Sequence, residues 1–155
     1  MRRKRSPIRE IIPDAKYNNV LVTRFINNVM LHGKKSIVEK AVYDSFDMIQ
    51  EKLKKDPLET FNEIIVKITP TVEVRARRIG GATYQIPTEV KERRGVSLAL
   101  KWLVIAIRKQ SGKSLSEKIF KSFQEILNNT GWAYKKKEEV FKMAEANKAF
   151  AHYAW

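Results

Sequence analysis

Apolar residues recur at helical spacing along most of this chain. Over 20–31, Leu21, Phe25, Ile26, Val29 and Met30 make one such run, with Asn18 and Asn19 ahead of it as caps and His32-Gly33 closing it. A long second run carries Ile37, Val38, Ala41, Val42, Ser45, Phe46, Ile49 and Leu53. Asp56-Pro57 opens a third, with Glu59 at capping-box spacing and Leu58, Phe61, Ile64, Ile65 and Ile68 inward; Thr69-Pro70 stops it. Gly95 and Ser97 introduce 98–107, apolar on nearly every side and so expected to be the central helix. A fifth helix, capped by Ser114 or Ser116, turns Ile119, Phe120, Phe123, Ile126 and Leu127 inward. A sixth starts near Lys135 and carries Val140, Met143, Ala144 and Asn147.

One stretch breaks the period. From Val72 to Arg77 the residues alternate and include β-branched side chains, and Gly80-Gly81 supplies a two-residue turn that tolerates the positive φ of a type I′ hairpin. That turn pairs Ile79 with Ala82, Arg77 with Tyr84 and Arg75 with Ile86. One face then holds Glu73, Arg75, Arg77, Ile79, Ala82, Tyr84 and Ile86; the other holds Val74, Ala76, Arg78, Thr83, Gln85 and Pro87. Neither face is clean enough to lie flat on a core. The expected fold is therefore mainly α, a single-domain bundle of about six helices over 1–155, with a basic extension at 1–12. One protruding β-hairpin arm, 71–90, is expected between the third and fourth helices, and six helices can supply the core without it.

Charge turns this fold toward a partner. Lys and Arg number 31 against 17 acids, a formal net charge of +14 on 155 residues. Such self-repulsion opposes compaction unless an anion absorbs it, and nucleic acid is the commonest such anion. The cations are spread over the chain instead of forming one amphipathic helix, which argues against a membrane surface. No apolar run approaches a membrane span, and no signal-peptide core follows the N-terminus. Without cysteine there is neither disulfide nor thiolate metal site, and a cytosolic or otherwise reducing compartment is expected.

The cations fall at helix ends, loops and the arm: Arg2, Arg3, Lys4 and Arg5; Lys34 and Lys35; Arg75, Arg77 and Arg78; Lys91, Arg93 and Arg94; Arg108 through Lys113; and Lys135, Lys136 and Lys137. These are places from which side chains reach a curved phosphate backbone. The lysines from 135 would sit in the first turn of the last helix and oppose its dipole unless a phosphate binds there. Tyr84 and Tyr153 either stack on unpaired bases, which favours folded RNA, or pack against a neighbouring helix. The histidines, His32 and His152, lack metal-spaced companions, and His32 reads as a cap at a helix C-terminus. Glu138, Glu139 and Glu145 lie among lysines as surface pairs. No catalytic constellation, cofactor motif or metal site is present in this pattern. A basic ribbon also fits an architectural DNA-binding protein, although the Gly-Gly tip offers no intercalating wedge.

Four blocks carry a more specific signal. They are Val72-Glu73-Val74-Arg75 with Arg77-Arg78-Ile79-Gly80-Gly81-Ala82 and Tyr84-Gln85-Ile86-Pro87; Leu21-Val22-Thr23 with Phe25-Ile26-Asn27 and Gly33-Lys34-Lys35; Ser97-Leu98-Ala99-Leu100-Lys101-Trp102-Leu103; and Lys135-Lys136-Lys137-Glu138-Glu139 with 143–149 and Ala151-His152-Tyr153. In this order they resemble the bacterial-type family of small-subunit ribosomal protein seven over essentially the whole chain. The resemblance implies a structural constituent of the small ribosomal subunit in the cytoplasm, a primary rRNA binder that nucleates the 3′ major (head) domain. It implies that the N-terminal cations, Lys34, Lys35, Arg75, Arg77, Arg78, Arg93 and Arg94 contact rRNA. Lys113, Lys135 and Lys136 are added on charge. It also implies a place at the subunit interface near exit-site tRNA and mRNA, with Gly80, Gly81 and Ala82 at the ribbon tip, Tyr84 on the ribbon, and His152 and Tyr153 on the tRNA side. Small-subunit ribosomal proteins nine and eleven are the implied protein neighbours. Ala154 departs from the family, which commonly has Arg between this Tyr and Trp, so one cation is missing on that side.

Overall fold

A computed structural model describes residues 10–153 of the chain. The first helix, α1 (Val20–Val29), starts where Asn19 turns its side-chain oxygen back to the Leu21 and Val22 amides, at 2.7 and 3.4 Å. It ends earlier than the sequence pattern suggests. Met30 donates its amide to the Ile26 carbonyl and leaves the helix, and His32 and Gly33 take left-handed backbone, with φ of 53° and 72°. His32 thus sits in the reversing turn and is not the cap of α1.

The second helix, α2 (Lys35–Leu53), buries Val38, Val42, Phe46 and Ile49. Ile37, expected on that stripe, is 62% exposed, because one position before Val38 is about 100° off its axis. In α3 (Pro57–Ile68), Asp56 Oδ1 accepts from the amides of Leu58 and Glu59 at 2.6 and 3.0 Å, and proline occupies the first turn, where its missing N–H costs nothing.

Strands β1 (Val72–Ile79) and β2 (Ala82–Glu89) pair antiparallel in the expected register, Arg75 opposite Ile86, Arg77 opposite Tyr84 and Ile79 opposite Ala82. Gly80 and Gly81 have φ of 56° and 92°, the left-handed pair a type I′ turn requires. The hairpin is less detached than its sequence suggests. Ile86 is fully buried and Glu73 nearly so, and the ribbon packs against the sixth helix, α6 (Gly131–Ala146), and the C-terminal 3-10 helix Lys148–Tyr153.

The fourth helix, α4 (Glu92–Lys109), begins several residues before Gly95, so Arg93 and Arg94 belong to its first turn and not to a preceding loop. Gly95 lies against the chain leaving α3: a Cβ there would meet Thr69 Cγ2 at 2.9 Å and the Pro70 carbonyl at 3.3 Å. The helix buries Leu100, Leu103, Val104 and Ile107, yet Lys101, Ile105 and Arg108 form an exposed strip, so it is not apolar all round. Ser114 caps α5 (Leu115–Leu127) by accepting from the Glu117 amide.

The centre is a knot of four fully buried phenylalanines, Phe25, Phe46, Phe61 and Phe123, one each from α1, α2, α3 and α5. Their ring centroids lie 5.3 to 6.4 Å apart in tilted pairs. Pairs at such separations add about 0.5–1.5 kcal/mol beyond area burial. The helices around this knot form the rigid body from which the cationic surfaces project.

Candidate nucleic-acid interface

The base of the ribbon is held to α4 by one carboxylate. Glu73 Oε1 accepts from Arg75 Nε at 2.7 Å, and Glu73 Oε2 accepts from Arg94 Nε at 2.8 Å, with Arg94 Nη2 also 2.8 Å away. Burial pushes the Glu73 carboxyl up, but the hydrogen bonds and charge of Arg94 and Arg75 outweigh it and hold the group below its ordinary value. Both guanidinium side chains stay 53% exposed. A guanidinium has five N–H donors, so each keeps donors for a further anion. Next to them, Ser97 Oγ donates to the Arg93 carbonyl and accepts from Arg24 Nη2 at 3.0 Å, which brings α1 to the same end of α4. Arg93 itself is exposed.

Toward the tip, Arg78 Nε donates to the Gly81 carbonyl at 3.4 Å, and Gly80, Gly81 and Ala82 are exposed. Among the described residues a Cβ at either glycine would have nothing within 4 Å, so backbone conformation, with positive φ at both, is what favours glycine there. Within the chain Tyr84 packs against the C-terminal 3-10 helix that carries Tyr153, while both tyrosines stay partly exposed. The Tyr84 ring lies 5.3 Å from Phe150 and 5.9 Å from Tyr153, and the His152 ring lies 3.9 Å from that of Tyr153 in a tilted pair. These contacts fasten the 3-10 helix to the outer half of β2, so His152, Tyr153 and the ribbon form one surface.

A second cationic group gathers at the other end of α4, with Arg108 about 22 Å along its axis from Arg93 by helical rise. Lys34, between α1 and α2, Arg108 and Lys118 of α5 line one recess there. Lys35 lies beside Lys34 and pairs with Glu39 at 3.5 Å. Lys113 is exposed, and its backbone amide donates to Glu117 Oε2 at 3.3 Å.

The lysines of α6 do not stand where the sequence pattern puts them. The helix begins at Gly131, so Lys135, Lys136 and Lys137 lie beyond its first turn, and the anion-binding argument for a helix N-terminus does not apply to them. Lys137 Nζ instead donates to the Lys67 carbonyl at 2.6 Å, at the C-terminal end of α3 where a cation is favoured. Lys136 pairs with Glu139 at 2.9 Å, and Lys135 is exposed. Arg2, Arg3, Lys4 and Arg5 lie outside the described residues.

The sequence pattern misses three participants. Glu73 is a single acid within a basic strand, and its partner Arg94 lies 21 residues on. Arg24 hides in the middle of α1, and Lys118 becomes visible only once Ser114 is known to start α5. Among the described residues no group of His, Cys, Asp or Glu could hold a metal ion, and no helix is long and apolar enough to cross a membrane.

Comparison with known proteins agrees over the full length. The family model described as "Ribosomal protein S7p/S5e" matches residues 1–148. The chain is 53% identical over 155 residues to the small ribosomal subunit protein uS7 of Thermotoga neapolitana, covering 100% of both chains. It is 54% identical over 154 residues to that of Dictyoglomus turgidum, 98% of this chain and 99% of the relative. With that of Treponema denticola it shares 53% over 147 residues, 95% and 94% of the two chains.

Proposed function

The chain belongs to the ribosomal protein S7p/S5e family, a structural component of the small ribosomal subunit and not an enzyme, and from this premise we propose its place within that subunit. It acts in the cytoplasm, in translation, as a primary rRNA-binding protein that nucleates assembly of the 3′ major (head) domain. It lies at the subunit interface, with the ribbon tip Gly80-Gly81-Ala82 and the face formed by Tyr84, His152 and Tyr153 toward exit-site tRNA and mRNA. Ribosomal proteins nine and eleven of the small subunit are its neighbours.

The observation that carries this reading is the distribution of cations on a rigid body. Arg75, Arg93 and Arg94 stand at one end of α4, and Lys34, Arg108 and Lys118 at the other. The spacing of about 22 Å lets one protein hold two separated stretches of RNA backbone in fixed relation, which is what nucleating a folded RNA domain demands. Arg77 and Arg78 extend the first group along the ribbon, and Lys35, Lys113, Lys135 and Lys136 add charge at the periphery.

Filter binding to a transcript of the head-domain rRNA, and to duplex DNA of equal length, tests this across a salt series. The rRNA is expected to bind at least tenfold more tightly at physiological salt, with a steep salt dependence. Equal affinities would replace this reading with the architectural DNA-binding one.

A further inference from the structure

Where α1, α2, α4 and α5 meet, the surface opens into a recess of about 310 Å³. Its floor is aliphatic, with Val38, Val104 and Ile107 nearly or fully buried. Two further lining side chains face outward: Leu31 is 54% and Ile37 62% exposed. Single exposed apolar residues are ordinary, but two on one concavity rimmed by Lys34, Arg108 and Lys118 are not. Among the described residues no carboxylate lines it.

The recess sits at the small end of ligand pockets, which run from about 300 to 1,000 Å³. An acidic helix needs several anchors spread along one face, whereas a recess of about 310 Å³ has the size for one small group. A group with apolar faces and negative charge on both sides fits the lining, and an unpaired nucleotide has that form. Its base would lie over the aliphatic floor, between the Leu31 and Ile37 side chains and against the Arg108 guanidinium plane. The flanking phosphates would meet Lys34 and Lys118.

Resting on the rRNA reading above, we propose that this recess seats one unpaired nucleobase of the head-domain rRNA. The test uses the full chain and a head-domain transcript. Leu31→Asn with Ile37→Asn changes two exposed side chains, so the melting temperature should stay as in the parent. Affinity should fall about tenfold, the order seen when one stacking surface is removed, with the salt slope unchanged. Lys34→Gln with Lys118→Gln should instead lower that slope by about two.

Transcripts each carrying one abasic unpaired nucleotide supply the decisive arm. At one position the parent protein should lose about tenfold, and the Leu31→Asn, Ile37→Asn variant should lose nothing further. The proposal is overturned if the variant binds like the parent or if its loss adds to every abasic loss. It is also overturned if the variant keeps its rRNA affinity and loses only incorporation alongside other ribosomal proteins, which would make the occupant a protein. A parent chain that does not prefer the rRNA over duplex DNA would overturn the underlying reading as well, and that result is read without any variant.

Discussion

Arg94 Nη2 lies 2.8 Å from Glu73 Oε2 and so ties the first turn of α4 to the first strand of the ribbon. The Glu73 side chain is only 10% exposed, and it also holds Arg75. Replacing it by glutamine leaves two cations facing each other without their counter-charge. Glu73→Gln is expected to cost about 1–2 kcal/mol in urea unfolding, below the range for fully buried pairs because both arginines are half exposed. Hydrogen exchange should also speed up at the ribbon base, while the four-phenylalanine centre stays protected.

The same carboxylate predicts a pH signature. Its folded pKa lies below the ordinary 4.5, so its contribution to stability is complete above that value and is lost as pH falls through the folded pKa. Urea midpoints measured from about pH 6 down to about pH 3 should therefore fall less steeply in Glu73→Gln than in the parent protein.

At the alkaline end the reporter is Tyr43, whose hydroxyl donates to Asp14 Oδ1 at 2.6 Å. Burial and that bond push its pKa from 10.0 up to about 12. The folded state favours the neutral phenol, so this contribution is full below pH 10.0 and is lost as pH rises toward about 12. Absorbance titration should show a late-ionising component that Tyr43→Phe removes. That variant should also loosen the turn at Asp14, which leads into the N-terminal basic segment.

Much of this arrangement is legible in the sequence where a residue's role depends on its near neighbours. Gly80-Gly81 sets the hairpin register, Asn18-Asn19, Asp56 and the pair Ser114 and Ser116 mark helix starts without singling out Asn19 or Ser114, and Phe25, Phe61 and Phe123 announce buried faces by period alone. What fails does so for a physical reason. The start of α6 is misplaced because Gly131 reads as a stop after Asn128-Asn129, whereas the helix begins on it. Arg93 and Arg94 look like a loop cluster because Gly95 resembles a boundary, yet a glycine suits the helix interior where α4 crosses the chain at Thr69 and Pro70. Two features depend on long-range approach and leave no local signature. They are the Glu73–Arg94 link and the meeting of Lys34 with Arg108 and Lys118.

Phe150 tests whether the C-terminal turn and the ribbon act as one surface. Phe150→Ala removes the ring 5.3 Å from Tyr84 and should cost about 0.5–1.5 kcal/mol of local docking. Limited trypsin treatment should then cut after Lys148 faster, with the global unfolding midpoint almost unchanged.

The ribbon arginines carry a charge prediction. Exchanging Arg75, Arg77 and Arg78 together for glutamine should weaken head-domain rRNA binding and reduce the salt slope by about one for each phosphate no longer neutralised. An unchanged slope would mean that the ribbon does not meet phosphate.

The most direct measurement is co-sedimentation with small ribosomal subunits through a high-salt wash. Loosely held basic proteins lose their counterion-driven affinity in such a wash, whereas a protein built into the folded head domain has contacts beyond bare charge to hold it. The chain is predicted to remain in the subunit fraction at one copy per particle. Its quantitative release into the supernatant, with the subunits otherwise intact, would contradict the account.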